Sequence, residues 1–399
     1  MTDKVAPLSA RHFSADFSGQ SAIQGLIVSI VGYASSVAIL IKGLAAVGAT
    51  ETQIASGLML VGFTKGIASI ILSLRSRMPV SVAWTTPGMA LLATTGAVAG
   101  GFPAAAGAFL IVGALIVLTA FWEPLARLIA AIPKALANAM LAGVLLKLCL
   151  APFVAIRELP VVALTILAVW LVMMRFARLW AVPAAGAVAL GAILMQGGAA
   201  NLGGFHLPYP VLVMPTFTIE ALFGLALPLF IVTMASQNIT GLAVLSTFGF
   251  RHSMREGLLV TGGLSTLTAI FGAPTINYAA ITAALCAGND AHADASRRYV
   301  AAVFSGIGYI LFASLAAIAA ALVLHASPIL IEAAAGLALI GAFGGAIKGA
   351  TEDEAERLPA LLTFFVTASG LSFFGIGGAF WGLLLGWGAR LLFRFRIAG

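Results

Sequence analysis

Apolar residues run along this chain in long stretches that are separated by short polar segments. A helix needs about 20 apolar residues to cross the hydrocarbon of a bilayer, and fewer where the helix is broken. The pattern therefore predicts an all-α polytopic membrane protein with about fourteen transmembrane segments. The predicted spans are residues 20–41, 52–74, 87–99, 103–122, 135–151, 159–175 and 181–196 in the first half, and 218–241, 257–271, 275–287, 299–324, 329–347, 358–373 and 377–393 in the second.

Two matching polar breaks interrupt the apolar pattern, one in each half of the chain. The first is Trp84–Gly88, with the sequence WTTPG, and the second is Gly272–Asn277, with the sequence GAPTIN. Each break leads into a short apolar segment, predicted as span 3 and span 10. Irregular backbone at membrane depth is tolerated only where it is buried in protein or lines a wet cavity, and paired breaks of this kind mark transport sites. We therefore expect the substrate to bind between the two breaks.

An inverted repeat explains the spacing of the prolines. Pro87 and Pro274 are separated by about the same interval as Pro133 and Pro328, which head spans 5 and 12. A repeat of seven spans accounts for both offsets, and because seven is odd, the second copy enters the membrane from the opposite side. Chance similarity between alanine-rich spans is the alternative explanation. The predicted organisation is a cytoplasmic N-terminal segment at 1–19, a first repeat at 20–196, a Gly- and Pro-rich external linker at 197–217 and a second repeat at 218–399.

Composition excludes a soluble globular protein. Hydrophobic residues make up 61% of the chain and charged residues 9%, with a mean hydropathy of +1.09, whereas soluble proteins are about 25% charged. The net charge of +7 does not indicate nucleic acid binding, because the basic residues lie in short loops and form no patch interleaved with aromatics. The orientation of the protein in the membrane explains the basic residues, because cytoplasmic loops of membrane proteins are enriched in Lys and Arg. If both termini are cytoplasmic, only Lys42, Lys147 and Arg157 lie on the outside. We expect a multi-pass protein of the inner (cytoplasmic) membrane with both termini in the cytoplasm.

One stretch carries a family resemblance. Val80–Leu92, with the sequence VSVAWTTPGMALL, resembles the benzoate:proton symporter family (BenE), and the likeness extends through most of the chain, including residues 20–42 and 227–247. More distantly, the spacing of the spans resembles the seven-plus-seven inverted-repeat fold of nucleobase and sulfate transporters. The resemblance implies a core domain, spans 1–4 and 8–11, that carries substrate against a gate domain, spans 5–7 and 12–14. It also implies that spans 3 and 10 are half-helices, each preceded by a short extended segment, which face each other near the midplane.

The starts of these half-helices are expected to form an anion site. A helix start offers unpaired backbone N–H groups and the positive end of the helix dipole. Pro87 and Pro274 both suit a first helical turn, where a missing N–H costs nothing, and Thr86 is placed to cap span 3. Thr275 and Asn277 offer side-chain donors and acceptors near the start of span 10. Ordinary capping without a ligand is the alternative role for Thr86 and Thr275.

Polar residues deep in two apolar spans are expected to face the interior of the core. Span 8 contains the adjacent polar residues Ser236–Asn238. In span 1 the polar candidates are Gln24, Tyr33, Ser35 and Ser36. Buried polar groups need partners, which are either the substrate or a neighbouring helix through interhelical hydrogen bonds.

Aromatic side chains beside the breaks complete the predicted site. Trp84, Phe271 and Tyr278 flank the breaks and can hold a substrate ring by edge or face contact, with plain packing as the alternative. The candidate substrate-binding residues are therefore Trp84, Thr85, Thr86, Pro87, Gly88, Gln237, Asn238, Pro274, Thr275, Asn277, Tyr278, Gln24 and Ser35.

Proton coupling requires a titratable group at depth. A lone carboxylate buried in a membrane ordinarily has a raised pKa and exchanges protons near neutral pH. Glu332, early in span 12, is the first candidate, and Glu220, near the outer end of span 8, is the second. Lys65, well inside span 2, is expected to form an ion pair or to snorkel toward the interface. The nucleobase carriers place a glutamate in span 8 where this chain has Ser236–Asn238, so the resemblance does not identify the coupling residue.

These features predict a secondary active transporter that imports an aromatic carboxylate, most simply benzoate, by proton symport with alternating access. The alternatives are a carrier of another organic or inorganic anion or of a nucleobase, or an anion channel. No enzyme motif is present, so we expect no enzymatic activity, no cofactor and no metal. The expected partners are the aromatic carboxylate, H⁺ and the lipid bilayer, with no nucleic acid; a homodimer is left open as the assembly.

Overall fold

The computed structural model describes residues 13–195, 207–324 and 327–395. The predicted N-terminal segment is therefore described from residue 13, and the predicted linker from residue 207; residues 1–12 and 196–206 lie outside the described parts.

Helices of very different lengths form the first half of the chain. Their bounds are α1 Phe13–Asp16, α2 Gly19–Ala34, α3 Val37–Ala46, α4 Glu51–Ser76, α5 Thr86–Thr95, α6 Gly101–Phe121, α7 Glu123–Ala131, α8 Lys134–Glu158, α9 Pro160–Phe176 and α10 Ala181–Met195. A short strand, β1, covers Val82–Trp84, and a 3₁₀ turn covers Arg178–Trp180. The strand lies directly before the short helix α5, at the first predicted break. Helix α7 was not predicted from the apolar pattern.

The second half repeats this mixture of long helices, short helices and a strand. A continuous helix over Ile219–Thr247 consists of α11 Ile219–Ala221, α12 Leu227–Val232 and α13 Ile239–Thr247, joined by π-helical segments at Leu222–Ala226 and Thr233–Asn238. The remaining elements are α14 Met254–Ala269, β2 Ile276–Tyr278, α15 Ile281–Ala287, α16 Tyr299–Ala313, α17 Ala316–Leu324, α18 Pro328–Thr351, α19 Glu354–Ala368, β3 Ser372–Phe373, β4 Ile376–Gly377 and α20 Gly378–Phe395, with a 3₁₀ turn at Ala295–Arg297.

Seven helices of the described parts are long and apolar enough to cross a membrane. They are Gly19–Ala46, which is interrupted at Ser35, Glu51–Ser76, Gly101–Phe121, Lys134–Glu158, Arg178–Met195, Ile219–Thr247 and Pro328–Thr351. A pair bent by 62°, Ala295–Ala313 with Ala316–Leu324, raises the number to eight. Helices α5 and α15 are too short to cross a bilayer alone, since a helix rises only about 1.5 Å per residue.

Glycines bring the long helices into close contact. Gly66 of α4 and Gly306 of α16 face each other, and a Cβ built on either one would lie 2.6 Å from the other's carbonyl oxygen. In the second half, a Cβ on Gly262 of α14 would lie 2.8 to 2.9 Å from atoms of Ile116 and Val117 on α6. Small residues allow helix backbones to approach closely where lipid supplies no hydrophobic driving force. These contacts fix α4 and α14, the helices that precede the two strands.

A serine anchors each strand to the helix before it in the same way. On α4, the Ser69 hydroxyl donates to the Lys65 carbonyl at 2.8 Å and accepts the Val82 N–H at 2.9 Å. On α14, the Ser265 hydroxyl donates to the Thr261 carbonyl at 2.7 Å and accepts the Ile276 N–H at 3.0 Å. Both strands therefore start from a buried hydroxyl that is itself held by the carbonyl four residues earlier. Lys65 and Thr261 occupy corresponding positions in this arrangement.

Candidate functional site

The two predicted breaks meet as an antiparallel pair of strands. Ala83 lies opposite Asn277 and Trp84 opposite Ile276 in the register. The pairing continues at one end, where the Thr85 N–H donates to the Thr275 carbonyl at 3.2 Å. At the other end the Ala279 N–H donates to the Ser81 carbonyl at 3.0 Å. We call this two-stranded ribbon, Ser81–Thr85 with Thr275–Ala279, the crossing. It brings together the two segments that the sequence predicted to flank the substrate.

Helix α5 begins at the crossing with Thr85 as its cap. The Thr85 hydroxyl accepts the Gly88 N–H at 3.2 Å. The prediction that Thr86 caps this helix was therefore wrong, because the strand pairing ends at Thr85 and Thr86 is already the first helical residue. Pro87 lies in the first turn, as predicted, and has no N–H to donate. Since Gly88 is capped, the Thr86 amide is left as a donor of the first turn without a hydrogen-bond partner among the described residues.

Helix α15 begins later than the sequence indicated. It starts at Ile281 after Ala280 and has no side-chain cap among the described residues. The prediction that Pro274 opens this helix was wrong, because pairing with β1 keeps Ile276–Tyr278 extended and delays the helix. Asn277 consequently lies in the middle of a strand, at the crossing itself.

Two polar atoms of the crossing have no hydrogen-bond partner among the described residues. They are Oγ1 of Thr275 and Oδ1 of Asn277, and both side chains are fully buried. The Asn277 amide nitrogen is satisfied, because it donates to the Tyr278 carbonyl at 2.7 Å. Buried polar side-chain atoms are satisfied in the large majority of cases, and an exception calls for an explanation such as a bound water or ligand. The unpaired atoms therefore mark the crossing as the strongest candidate site.

The π-helical segment Thr233–Asn238 holds the crossing from the side. The Thr233 hydroxyl donates to Oγ1 of Thr85 at 3.1 Å. Oδ1 of Asn238 accepts the Tyr278 N–H at 3.0 Å. One π-helical segment thus contacts both strands, and such segments occur frequently at functional sites. Asn238 was predicted from its polarity inside an apolar span, whereas Thr233 was missed because a single threonine in a span is unremarkable.

Other predicted polar residues have local hydrogen bonds. Gln237 is half-buried and donates to the Ser236 hydroxyl at 3.4 Å, while Ser236 donates to the Val232 carbonyl at 2.6 Å. Ser35 lies at the interruption between α2 and α3 and donates to the Gly32 carbonyl at 3.3 Å. Gln24 is half-buried on α2. These bonds to carbonyls three or four residues earlier give the Ser35 and Ser236 hydroxyls a local partner.

The aromatic residues of the crossing are packed against other protein groups. Trp84 is buried, with the Lys65 side-chain nitrogen 3.3 Å from its ring centre and the Tyr33 ring edge-on at 5.8 Å. Tyr278 is also buried, and its hydroxyl donates to the Ser253 carbonyl at 3.1 Å. Phe271 is half-buried, beside the second break. Trp84 and Tyr278 therefore shape the walls of the crossing.

His252 links the Tyr278 hydroxyl to the loop between α13 and α14. Its Nδ1 lies 2.7 Å from the Tyr278 oxygen, and its Nε2 is buried without a hydrogen-bond partner in the described parts. Burial lowers the pKa of His252 below its usual value, and the negative charge of Glu256 opposes this shift. Glu256 itself pairs with Arg75 of α4 at 3.2 Å. No local sequence pattern points to His252, because its partner lies 26 positions away on another element.

The two candidate coupling carboxylates differ in their surroundings. Glu332 of α18 forms an ion pair with Lys42 of α3. The expectation of a lone carboxylate at Glu332 was wrong, because α3 brings a lysine to it that is distant in the sequence. Glu220 lies half-buried in the first turn of the Ile219–Thr247 helix and makes no ion pair with any described residue.

Solved transporter structures share this arrangement of helices. The transmembrane domain of the bicarbonate transporter BicA from a cyanobacterium matches with a TM-score of 0.58 and 13% identity, over 92% of this chain and 97% of that one. The structure of SLC26A9 matches with a TM-score of 0.60 and 13% identity, over 93% of this chain and 65% of that one. The fold is therefore that of a class of membrane transporters, and this class fits the inverted-repeat arrangement predicted from the sequence.

Sequence comparison gives the family. Residues 15–392 match the model described as "Benzoate membrane transport protein", so the chain belongs to the BenE family. It is 38% identical to "Inner membrane protein YdcO" of Escherichia coli K12, over 91% of this chain and 93% of that protein. It is 31% identical to the "Benzoate membrane transport protein" of Acinetobacter baylyi, over 93% of this chain and 94% of that protein. The resemblance carried by Val80–Leu92 is confirmed, and the protein is a membrane transport protein.

Proposed function

We propose that this protein imports an aromatic carboxylate, with benzoate as the leading substrate, by proton symport with alternating access. The observation that carries the proposal is the crossing, where the start of α5 meets the unpaired atoms of Thr275 and Asn277. The relative from Acinetobacter baylyi, which is named as a benzoate transporter, supports the choice of substrate.

The chemistry of the crossing suits a carboxylate without an arginine. The α5 start supplies the positive end of a helix dipole and the Thr86 amide, which has no hydrogen-bond partner in the described parts of the chain. The Thr275 hydroxyl is a buried donor without a partner among the described residues. A carboxylate that accepts from these two donors satisfies both of them. Asn277 Oδ1 remains an acceptor for a water molecule or for a protonated group.

The proposed topology extends the described helices to fourteen spans in two inverted repeats, residues 20–196 and 218–399. Spans 1–4 and 8–11 form the core, spans 5–7 and 12–14 form the gate, and α5 and α15 are the half-helices of spans 3 and 10. The matching Ser69 and Ser265 anchors support the repeat. We place both termini in the cytoplasm and the protein in the inner membrane, which the name of the Escherichia coli relative supports.

Proton coupling follows a simple electrical argument. A proton that travels with a monovalent carboxylate gives a complex with no net charge, so the membrane potential hardly opposes its entry. An anion without a proton would have to enter against an inside-negative potential.

The test is the uptake of labelled benzoate by purified protein in liposomes, with and without an inward proton gradient. We expect accumulation above equilibrium only with the gradient, and its collapse on addition of a protonophore. Unlabelled benzoate should compete, whereas uracil and sulfate in equal excess should not. Uptake that ignores the gradient would contradict symport, and equilibration without accumulation would indicate a channel.

A further inference from the structure

Lys65 places an amine inside the core, and the proposed function assigns it no role. It lies in the middle of α4 and is 1% exposed. Its side-chain nitrogen lies 3.3 Å from the ring centre of Trp84 and 3.5 Å from that of Tyr309. Among the described residues it makes no ion pair or hydrogen bond. The expectation of an ion pair or a snorkelling side chain was therefore wrong, because two aromatic faces hold the amine at depth.

No carboxylate comes to Lys65 from the elements packed around it, within the ranges that the structure describes. The titratable groups nearby are Tyr309 on α16, Tyr33, which contacts Trp84 from α2, and Cys286 of α15, which lies close to Tyr309. The charged groups on the other neighbouring helices have other contacts: Lys42 of α3 pairs with Glu332, Glu256 of α14 pairs with Arg75, and Arg255 of α14 lies over the Phe121 ring. Arg75 lies ten residues from Lys65, about 15 Å along α4.

The fold itself does not require a lysine at this position. The corresponding residue in the second half is Thr261, whose carbonyl receives the Ser265 hydroxyl just as the Lys65 carbonyl receives that of Ser69. The anchor of each strand uses only this backbone carbonyl. A small polar residue therefore serves the architecture, and the amine of Lys65 is an addition made in one half only.

We propose that the Lys65 amine carries the co-transported proton, a role that rests on the proposed symport of an aromatic carboxylate. An ammonium group buried without an anion is costly, and a carboxylate bound at the crossing supplies the missing negative charge. Substrate and proton then favour each other's binding by the same factor, which is the thermodynamic basis of symport. The two aromatic faces add to the stabilisation of the ammonium once it forms with the carboxylate bound.

The coupling acts through the electric field and does not need contact. Trp84, whose ring contacts the Lys65 amine, directly precedes Thr85, the cap of α5. Side chains alternate along a strand, so Trp84 points to the opposite face of the crossing from Ala83, the partner of Asn277. The amine therefore lies behind the ribbon that presents the substrate. In this low-dielectric interior a charge on one face is felt on the other.

The test measures protons taken up when benzoate binds to purified protein in weakly buffered detergent solution at mildly alkaline pH. For the wild-type protein we expect uptake of a proton with each benzoate bound. Lys65→Met should bind benzoate at least tenfold more weakly and take up no proton. Lys65→Arg, whose guanidinium keeps its proton, should bind benzoate without proton uptake and exchange labelled benzoate across liposomes without gradient-driven accumulation.

Controls separate the outcomes. Lys147→Met, at an exposed lysine on α8, should keep wild-type proton uptake. Proton uptake by Lys65→Met equal to that of the wild type would overturn the assignment. The proton would then be carried by another group, such as a protonated substrate carboxyl that donates to Oδ1 of Asn277. No proton uptake by the wild-type protein would instead contradict symport itself. If neither replacement folds, the ζ-nitrogen NMR signal of Lys65 in the wild-type protein decides, since an unchanged signal on benzoate addition would also overturn the proposal.

Discussion

Single polar atoms at the crossing carry most of the chemistry that this site offers. Thr85 illustrates how densely they are used. Its N–H donates to Thr275, and its hydroxyl accepts from both Gly88 and Thr233. By contrast, Thr275 and Asn277 keep one atom each without a partner among the described residues. Atoms that hold the crossing together are therefore distinct from the atoms that we propose to contact the substrate.

This distinction predicts different effects for two threonine variants. Thr275→Val removes the unpaired hydroxyl and keeps the shape of the side chain, so benzoate should bind about tenfold more weakly, the loss of one hydrogen bond of about 1.4 kcal/mol. The melting temperature should change little, because no protein group loses a partner. Thr85→Val, as the matched control, should lower the melting temperature, since it leaves Gly88 and Thr233 unsatisfied. Unchanged benzoate affinity for Thr275→Val would remove this hydroxyl from the site.

His252 should make stability depend on pH. Burial lowers its pKa in the folded protein, so the unfolded chain takes up a proton first as the pH falls through the usual histidine range, and unfolding is favoured. Stability from this group is therefore complete above the usual pKa and is lost on acidification. His252→Asn, which keeps a donor for Tyr278, should flatten the decline of the melting temperature between about pH 7.5 and 5.5. An equally steep decline in the variant would show that other groups cause it.

At the scale of elements, the crossing depends on how closely helices approach β2. Tyr278 is enclosed by Gly241 of α13 and Gly257 of α14, and a Cβ on Gly257 would overlap the Tyr278 ring and hydroxyl. These glycines let two helices close over one strand residue. Neither glycine has a positive φ angle, so the backbone conformation does not require glycine at these positions. The missing side chain instead allows each helix to approach Tyr278 closely.

Two glycines on α14 provide a matched comparison. Gly257→Ala should displace Tyr278, break its bond to His252 and destabilise the protein by about 1 to 3 kcal/mol, the usual cost of overpacking. Gly263→Ala, on the same helix with nothing within 4 Å of the new Cβ, should be neutral or slightly stabilising. Thermal unfolding in one detergent compares the two variants. Equal melting temperatures would contradict the description of Tyr278 as tightly enclosed.

The sequence predicted the position of the crossing but not its construction. The breaks at Trp84–Gly88 and Gly272–Asn277 were visible because polar residues and prolines interrupt apolar runs. The cap at Thr85 and the late start of α15 were missed, because strand pairing between distant segments overrides local helix signals such as Pro274. Thr233 and His252 were missed for the same reason, since each acquires its role from a partner on another element.

At the scale of the whole molecule, few ion pairs of the described residues connect distant parts of the chain. The pair between Lys42 of α3 and Glu332 of α18 is one of them, and both side chains are partly exposed. In the proposed division, α3 belongs to the core and α18 to the gate. An ion pair across this boundary must break or shift if the two parts move against each other.

Glu332 therefore should affect the rate of transport and not its coupling. Glu332→Gln should change the rate of benzoate uptake while accumulation still requires the proton gradient. Lys42→Gln should have a similar effect, because either substitution removes the same pair. Liposome uptake with and without the gradient measures both properties. If Glu332→Gln loses the gradient dependence and Lys42→Gln keeps it, the Glu332 carboxylate would be the proton carrier.

The pairing of β1 with β2 restricts how α5 and α15 can move relative to each other. Backbone hydrogen bonds join the segment before α5 to the segment before α15 from Ser81–Ala279 through Thr85–Thr275. Neither short helix can shift or rotate alone without breaking these backbone hydrogen bonds. A conformational change that exposes the substrate first to one side of the membrane and then to the other must therefore move the starts of both helices together. The interfaces at which the protein parts move against each other then lie outside the crossing.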